Sequence, residues 1–144
     1  MFIDYTLILA DTVTVTTSAA STNYIDTQAA GNDYKDMFFF AKVETTAFTA
    51  GAGAPSVNFE LQTSDSILFL DATTFTLCAA TGLLAANLTA STIVARIPIP
   101  MGAKRYIRGY YNITNYAANT VYFSACSYSM FLATDVDGLI TGAQ

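Results

Sequence analysis

Strict alternation of apolar and polar residues marks the strongest predicted strands of the chain. The segment 56–63 alternates throughout and predicts a strand with one inward and one outward face. Its inward residues are Val57, Phe59 and Leu61, and its outward residues are Asn58, Glu60 and Gln62. The segment 105–113 alternates in the same way, with Ile107, Gly109, Tyr111 and Ile113 on the face opposite to Tyr106, Arg108 and Tyr110. We expect the apolar face of each segment to be buried.

Weaker strand signals recur along the rest of the chain. They are short runs of apolar or β-branched residues at 12–17, 37–44, 67–70, 74–78 and 93–97. The segment 121–133 is apolar on both faces, which predicts a central strand covered on two sides. Simple alternation there places Phe123 and Phe131 together on one face, and both are expected in the core.

Three segments depart from this strand pattern. Residues 2–10 are expected to form an N-terminal arm, and the polar stretch 17–36 predicts a long ordered loop. The segment 79–90 predicts a short helix with Thr81 as its N-cap. With roughly eight short strands and almost no helical periodicity, residues 1–144 predict a single all-β domain, an antiparallel β-sandwich or barrel.

The composition suggests that much of the surface meets another protein. Only 12% of the residues are charged and 53% are hydrophobic, whereas ordinary domains carry roughly 25% charged residues. A monomer rarely tolerates large exposed apolar patches. We therefore expect a homo-oligomer, a two-fold dimer first and a trimer as second choice.

The charges are divided unevenly along the sequence. Residues 1–71 hold nine acids and two bases, residues 72–134 hold four bases and no acid, and residues 135–144 add two acids, for a net charge of −5. A negative total argues against a nucleic-acid partner. The basic side chains of residues 72–134 therefore pair with acids of the first 71 residues, with acids of another subunit, or with water.

The basic residues concentrate around one predicted hairpin, formed by 93–97 and 105–113. Between its strands, Pro98 and Pro100 favour a strand end and Gly102 permits a reversal. We single out Lys104, Arg105, Tyr106, Arg108 and Tyr110 as candidate residues for contact with another protein or a sister subunit. The alternative is a contact within the chain, with Glu44 or Glu60 as the expected acids.

Several chemistries have no support in the sequence. The chain contains no His, which removes Ser/His and Cys/His nucleophile pairs and His-based zinc sites. Cys78 and Cys126 are expected as buried free thiols. We expect no enzyme activity, no catalytic residue, no metal and no cofactor.

A membrane partner is not expected either. The 24 uncharged residues between Asp71 and Arg96 are long enough to span a bilayer, but they include many Thr, Ser, Asn and Gly residues. Two strands and a linker account for this segment better. No basic, apolar secretory leader is visible at residues 1–4.

Three short motifs carry a family resemblance that spans most of the chain. The late one is Pro98-x-Pro100-x-Gly102 followed by Lys104-Arg105-Tyr106-Ile107-Arg108 and a Tyr-rich strand. The central one is Phe59-x-Leu61-x-Thr63-Ser64, and the early one is Asp4-x-x-Leu7, Thr14-x-Thr16 and Ser21-Thr22-Asn23-x-Ile25-Asp26. In this order they resemble the capsid cement (decoration) proteins of short-tailed phages, a family typified by the cement protein of a Bordetella phage.

The resemblance implies a jelly roll and a structural role. Such a protein binds the outer surface of the assembled phage capsid, with the major capsid protein as its partner, and cements neighbouring capsomers. The expected location is therefore the virion. Affinity would come from apolar and aromatic contacts, multiplied by repetition around a symmetric shell.

The rival hypothesis is a carbohydrate- or receptor-binding jelly roll on the virion. Its exposed aromatic residues would be Tyr106, Tyr110 and Tyr122. A shallow groove with clustered Tyr and Asn side chains would favour this rival.

Overall fold

Eight β-strands account for most of the residues that the computed structural model describes, which are 7–28, 36–50, 53–70, 72–114 and 122–134. The strands are β1 (Ile8–Thr14), β2 (Ala19–Asp26), β3 (Phe38–Ala50), β4 (Ser56–Ser64), β5 (Thr74–Leu84), β6 (Ile93–Pro98), β7 (Tyr106–Thr114) and β8 (Tyr122–Ala133). A short 3-10 turn, Ala85–Asn87, follows β5. Of the N-terminal arm expected at 2–10, residues 2–6 lie outside the described part, as do residues 29–35 of the expected loop, whereas residues 8–10 belong to β1 and not to an arm.

The strands form two four-stranded antiparallel sheets. Sheet A has the order β1-β8-β3-β6, and sheet B has the order β2-β7-β4-β5. Among the described strands, β4 and β5 are the one consecutive pair that lies in the same sheet. The chain otherwise crosses between sheets, which is the eight-stranded double Greek key of a jelly roll. The predicted all-β antiparallel sandwich of jelly-roll type is confirmed.

The segments 93–97 and 105–113 do not form the predicted hairpin. They become β6 and β7, which lie in different sheets. The connection between them bridges the end of the sandwich, and the Ile99 backbone N–H donates to the Met37 carbonyl at 3.1 Å. Two prolines in this connection remove ladder donors, so the chain leaves sheet A instead of folding back on it.

Three buried aromatic rings form the centre of the core. Phe59 of β4 and Tyr111 of β7 come from sheet B, and Tyr128 of β8 comes from sheet A. The Phe59 ring centroid lies 4.8 Å from that of Tyr128 and 5.9 Å from that of Tyr111, both edge to face. Burial raises the pKa of both tyrosines above the ordinary value. The seven residues expected in the core are all buried, namely Val57, Phe59, Leu61, Ile107, Tyr111, Phe123 and Phe131.

A bulge in β8 places two of these residues on opposite faces. Phe48 pairs with Ala125 and Thr49 pairs with Phe123, so β8 contains one residue more than β3 at this point. The extra residue shifts the alternation by one. Phe123 therefore packs between the sheets, while Phe131 packs against Phe40 in a separate cluster, with ring centroids 5.3 Å apart. The expectation that Phe123 and Phe131 share a face is wrong.

The predicted helix at 79–90 is wrong as well. Strand β5 continues to Leu84, where it pairs with Ser56 of β4. Gly82 has a φ of +68° and its N–H donates to the Asn58 side chain at 2.7 Å, which accommodates a register shift in β5. Pairing with the long β4 ladder thus overrides the helical preference of the alanines and leucines.

Two further segments differ from the sequence-based expectation. The stretch 17–36, expected to be a loop, contains the edge strand β2. Ser18 and Ser21 side-chain oxygens accept the backbone N–H groups of Ile113 and Gly109 at 2.8 and 2.9 Å, which supports an irregular strand that is rich in polar residues. The short strand expected at 67–70 is instead part of the turns between β4 and β5.

The substitution Phe59→Ala should destabilise the sandwich by about 3–5 kcal/mol, because the ring is fully buried between the sheets. Urea unfolding followed by fluorescence measures this loss. The matched control is Phe75→Ala, since Phe75 is exposed and should change stability far less. Similar losses for the two variants would contradict the central role of Phe59.

Candidate interaction surface

The five predicted contact residues lie together on the outer face of sheet B and at its end. Tyr106, Arg108 and Tyr110 alternate along β7 with buried residues, as the sequence predicts. Lys104 and Arg105 precede the strand. The structure therefore brings these residues onto one surface, and each basic side chain has a partner within the chain.

Arg105 binds Asp26 of β2 through two parallel hydrogen bonds. Its Nε donates to Oδ1 at 2.9 Å and its Nη2 donates to Oδ2 at 3.0 Å. The Arg105 hydrogen bond, helped by the Gln28 N–H, holds the pKa of Asp26 below its usual 3.8. The contribution of this pair to stability is therefore lost only as the solution becomes acidic enough to protonate Asp26.

Lys104 joins the two connections at this end of the sandwich. Its Nζ binds the Asp65 carboxylate and lies 4.9 Å from the centroid of the Phe75 ring. Its backbone N–H donates to the Thr63 hydroxyl at 2.7 Å. The connection between β6 and β7 is thereby fixed to the connection between β4 and β5.

Arg108 holds the β4–β5 connection from the outer face of β7. Its Nε donates to the Gln62 side chain at 3.0 Å. Its guanidinium lies 4.3 Å from the ring centroid of Phe69 and 5.5 Å from that of Tyr110. Guanidinium groups over aromatic faces are attracted by the ring quadrupole.

The acids that the sequence suggested as partners have other roles. Glu44 binds Lys42 at 2.9 Å within β3, and Glu60 accepts hydrogen bonds from Asn112 and Gln62. Of the alternatives that the sequence left open, Lys104 and Arg105 pair with acids of the first 71 residues, but these acids are Asp65 and Asp26. Tyr106 packs edge to face against Tyr24, with ring centroids 6.0 Å apart.

An exposed apolar surface at the same end was not predicted. The β4–β5 connection exposes Leu68 by 72% and Leu70 by 56%, and the β6–β7 connection exposes Met101 by 88%. Ile67 and Phe75 are also about half exposed. We call these five residues, Ile67, Leu68, Leu70, Phe75 and Met101, the apolar end. Large apolar residues exposed on neighbouring connections mark a candidate interaction surface.

The β4–β5 connection, which carries three residues of the apolar end, is supported by its own backbone and by Arg108. Leu68 and Phe69 N–H groups both donate to Ser66, and the Leu70 carbonyl accepts from Thr73 at 2.8 Å. Phe69 is buried at a φ of +48°, a strained value for a bulky residue. Arg108 over its ring helps keep Phe69 inside while its leucine neighbours stay exposed.

A sequence signal for this surface exists. Ile67–Leu70 is an unbroken apolar run between turn residues, without the alternation that a half-buried strand requires. The sequence predicts a short strand there, after a turn at 64–66, and the structure places the run in a connection. Its lack of alternation is the feature that fits a connection with exposed apolar side chains.

A shallow polar groove lies on the outer face of sheet B, beside the apolar end. It has a volume of about 250 Å³ and is lined by Glu60, Gln62, Thr74, Arg108, Tyr110 and Asn112. All six side chains are partly buried. The Tyr122 side chain, which the rival hypothesis also named, lies outside the described part.

No group of three or more possible metal-ligating side chains occurs in the part of the chain that the structure describes. Both cysteines are free; Cys126 is buried and donates to the Val15 carbonyl at 2.7 Å, while Cys78 is only partly buried. Burial raises the pKa of the Cys78 thiol to about 11. Within the described residues, no helix has the length and apolar character needed to cross a bilayer.

Arg108→Ala should lower the melting temperature clearly, because the Phe69 ring loses its cover and Gln62 loses its donor. The expected loss is about 1–3 kcal/mol. Arg105→Ala is the matched control and should change the melting temperature little, since the Arg105–Asp26 pair is exposed and screened by salt. Calorimetry measures both variants. Equal losses would show that Arg108 has no special role in supporting the apolar end.

Comparison with known proteins and protein families shows what the chain is similar to. A comparison with curated proteins found no match. The model of the family described as Bbp16 matches residues 9–126, which extends from β1 into β8 and covers well over half of the sequence. All three strands that carry the core aromatic cluster begin within this match. The chain therefore belongs to the Bbp16 family.

Proposed function

We propose that this protein is a structural component of a phage virion that binds the outer surface of the capsid and cements neighbouring capsomers. Its partner is the major capsid protein. Membership in the Bbp16 family, whose name suggests a Bordetella phage protein, supports the phage origin. The jelly-roll topology is compatible with this role. In this proposal the protein has no enzyme activity and requires no cofactor, nucleic acid or membrane.

The observation that carries the proposal is the apolar end. It presents five large apolar side chains, four on connections and Phe75 on β5, and hydrogen bonds, Lys104 and Arg108 support these connections. A preorganised surface loses little conformational entropy when it binds. Burial of its side chains contributes about 25 cal/mol for each Å² of apolar surface removed from water.

The apolar end of one subunit is too small an interface for a stable complex. Standard interfaces use roughly 20–30 residues on each side, and the apolar end supplies five. Linking two contacts in one particle raises the effective concentration of the second and multiplies the affinity. A homodimer with one apolar end on each subunit can in this way hold two neighbouring capsomers together, and a trimer is the second choice.

The basic residues support this surface in the proposed mechanism. Lys104 and Arg108 bind within the chain and fix the connections that carry the apolar residues. Arg105 anchors the adjoining end of β2. Direct contact of Lys104, Arg105, Tyr106, Arg108 or Tyr110 with the capsid protein stays a prediction.

The double substitution Leu68→Ser and Met101→Ser should reduce occupancy on capsids at least tenfold without lowering the melting temperature, because both side chains are exposed in the isolated protein. Co-sedimentation of purified protein with undecorated capsids measures occupancy. The matched control is Phe48→Ser, an exposed residue of β3 outside the apolar end. Unchanged occupancy of the double variant, or an equal loss for Phe48→Ser, would refute the proposed contact.

Sedimentation velocity should show a dimer at micromolar concentration. The reason is the thin charge cover of the surface, with only 12% charged residues in the sequence. A concentration series separates a dimer from a trimer. A strictly monomeric species throughout the series would contradict the proposed bridging by an oligomer.

A further inference from the structure

We propose that the polar groove on the outer face of sheet B binds a neutral saccharide, with one sugar ring seated in the groove. The proposal does not rest on capsid attachment, since none of the groove residues belongs to the apolar end. Its basis is the arrangement of hydroxyl-recognising groups beside an aromatic ring. A volume of about 250 Å³ is below the roughly 300–1,000 Å³ of pockets for drug-sized ligands, so it suits a single ring.

The groove is built by alternation on two neighbouring strands. Outward residues of β4 and β7 are paired across the ladder, with Glu60 opposite Tyr110 and Gln62 opposite Arg108. Thr74 at the start of β5 closes one side. Because β4 and β7 are the two central strands of sheet B, these side chains project from hydrogen-bonded strands rather than from loops, which favours a precise site.

A hydrogen-bond network orients the polar groups before any ligand binds. Asn112 Nδ2 donates to Glu60 Oε1 at 2.9 Å, and Gln62 Nε2 donates to Glu60 Oε2 at 3.0 Å. Arg108 Nε in turn donates to Gln62 Oε1 at 3.0 Å. Each amide nitrogen carries a second N–H, and Glu60 Oε1 has a further lone pair, whereas Oε2 also accepts from the Thr76 hydroxyl at 3.3 Å. Donors and acceptors are thus presented side by side.

That pattern matches the edge of a sugar ring. Each sugar hydroxyl donates one hydrogen bond and accepts others, so two adjacent hydroxyls can bridge a carboxylate and an amide. The half-buried Tyr110 ring on the groove wall offers an apolar surface with a polar tip. The C–H face of a sugar can pack there while its hydroxyls reach Glu60 and Asn112.

The charges in the groove favour a neutral ligand. Glu60 and Arg108 contribute one charge of each sign. Arg108 already donates to Gln62 and stacks on Phe69, while an acidic ligand would meet the Glu60 carboxylate at short range. Like charges at such distances disfavour binding. The groove therefore selects hydroxyl groups over carboxylate or sulfate groups.

Saturation-transfer NMR and calorimetry with methyl glycosides test the proposal. The probes are the methyl glycosides of glucose, galactose, mannose and N-acetylglucosamine, with methyl glucuronide as the charged comparison. At least one neutral glycoside should bind with a Kd on the order of millimolar, as expected for so few ligand atoms. The glucuronide should bind at least tenfold more weakly.

Tyr110→Leu and Asn112→Ala should each weaken binding of that neutral glycoside at least tenfold. Tyr24→Leu is the matched control, because Tyr24 is an exposed tyrosine of the same sheet outside the groove lining, and it should leave binding unchanged. Melting temperatures show whether each variant folds. If Tyr110→Leu fails to fold, Asn112→Ala serves as the test. Three results would overturn the proposal: no neutral glycoside bound at tens of millimolar, preference for the glucuronide, or binding that both groove variants retain.

Discussion

The packing of Phe59, Tyr111 and Tyr128 is the interaction on which the other surfaces depend. The three rings join the central strands of the two sheets at centroid distances of 4.8–5.9 Å. Because side chains alternate along a strand, burying Phe59 and Tyr111 forces their neighbours Glu60 and Tyr110 outward. The core cluster thereby determines which residues form the groove on sheet B. It also fixes β4, where the β4–β5 connection begins, and β7, where the β6–β7 connection ends.

The uneven charge distribution of the sequence has a structural explanation within one chain. Acid-rich and base-rich segments become neighbours because β2 and β4 both pair with β7. Asp26 at the end of β2 meets Arg105, and Asp65 after β4 meets Lys104. A segment without acids therefore does not by itself indicate an intermolecular docking surface. Here its charges stabilise the part of the molecule that carries the exposed apolar residues.

Alternation was enough to predict β4 and β7, and with them five of the seven buried core residues and the shared surface of Tyr106, Arg108 and Tyr110. It failed where one strand contains an additional residue. The bulge in β8 separates Phe123 from Phe131, and a register shift near Gly82 lets β5 continue through a segment with helical preference. Strand β2 was missed because its backbone is supported by serine side chains rather than by an apolar face. The apolar end was missed because an unbroken apolar run such as 67–70 is also typical of a short buried strand, and the packing of Phe69 under Arg108 joins residues far apart in the sequence.

The position of β8 in sheet A has a consequence for how the protein folds. Strand β8 lies between β1 and β3 in the sheet. These two strands are synthesised early, but their pairing with β8 cannot form until β8 has been synthesised. Loop closure over such sequence separations makes folding slow. Until β8 arrives, β3 offers an unpaired apolar edge to other nascent chains. Expression at lower temperature, with chaperones present, should therefore raise the yield of folded protein. The stability of the folded sandwich should change less.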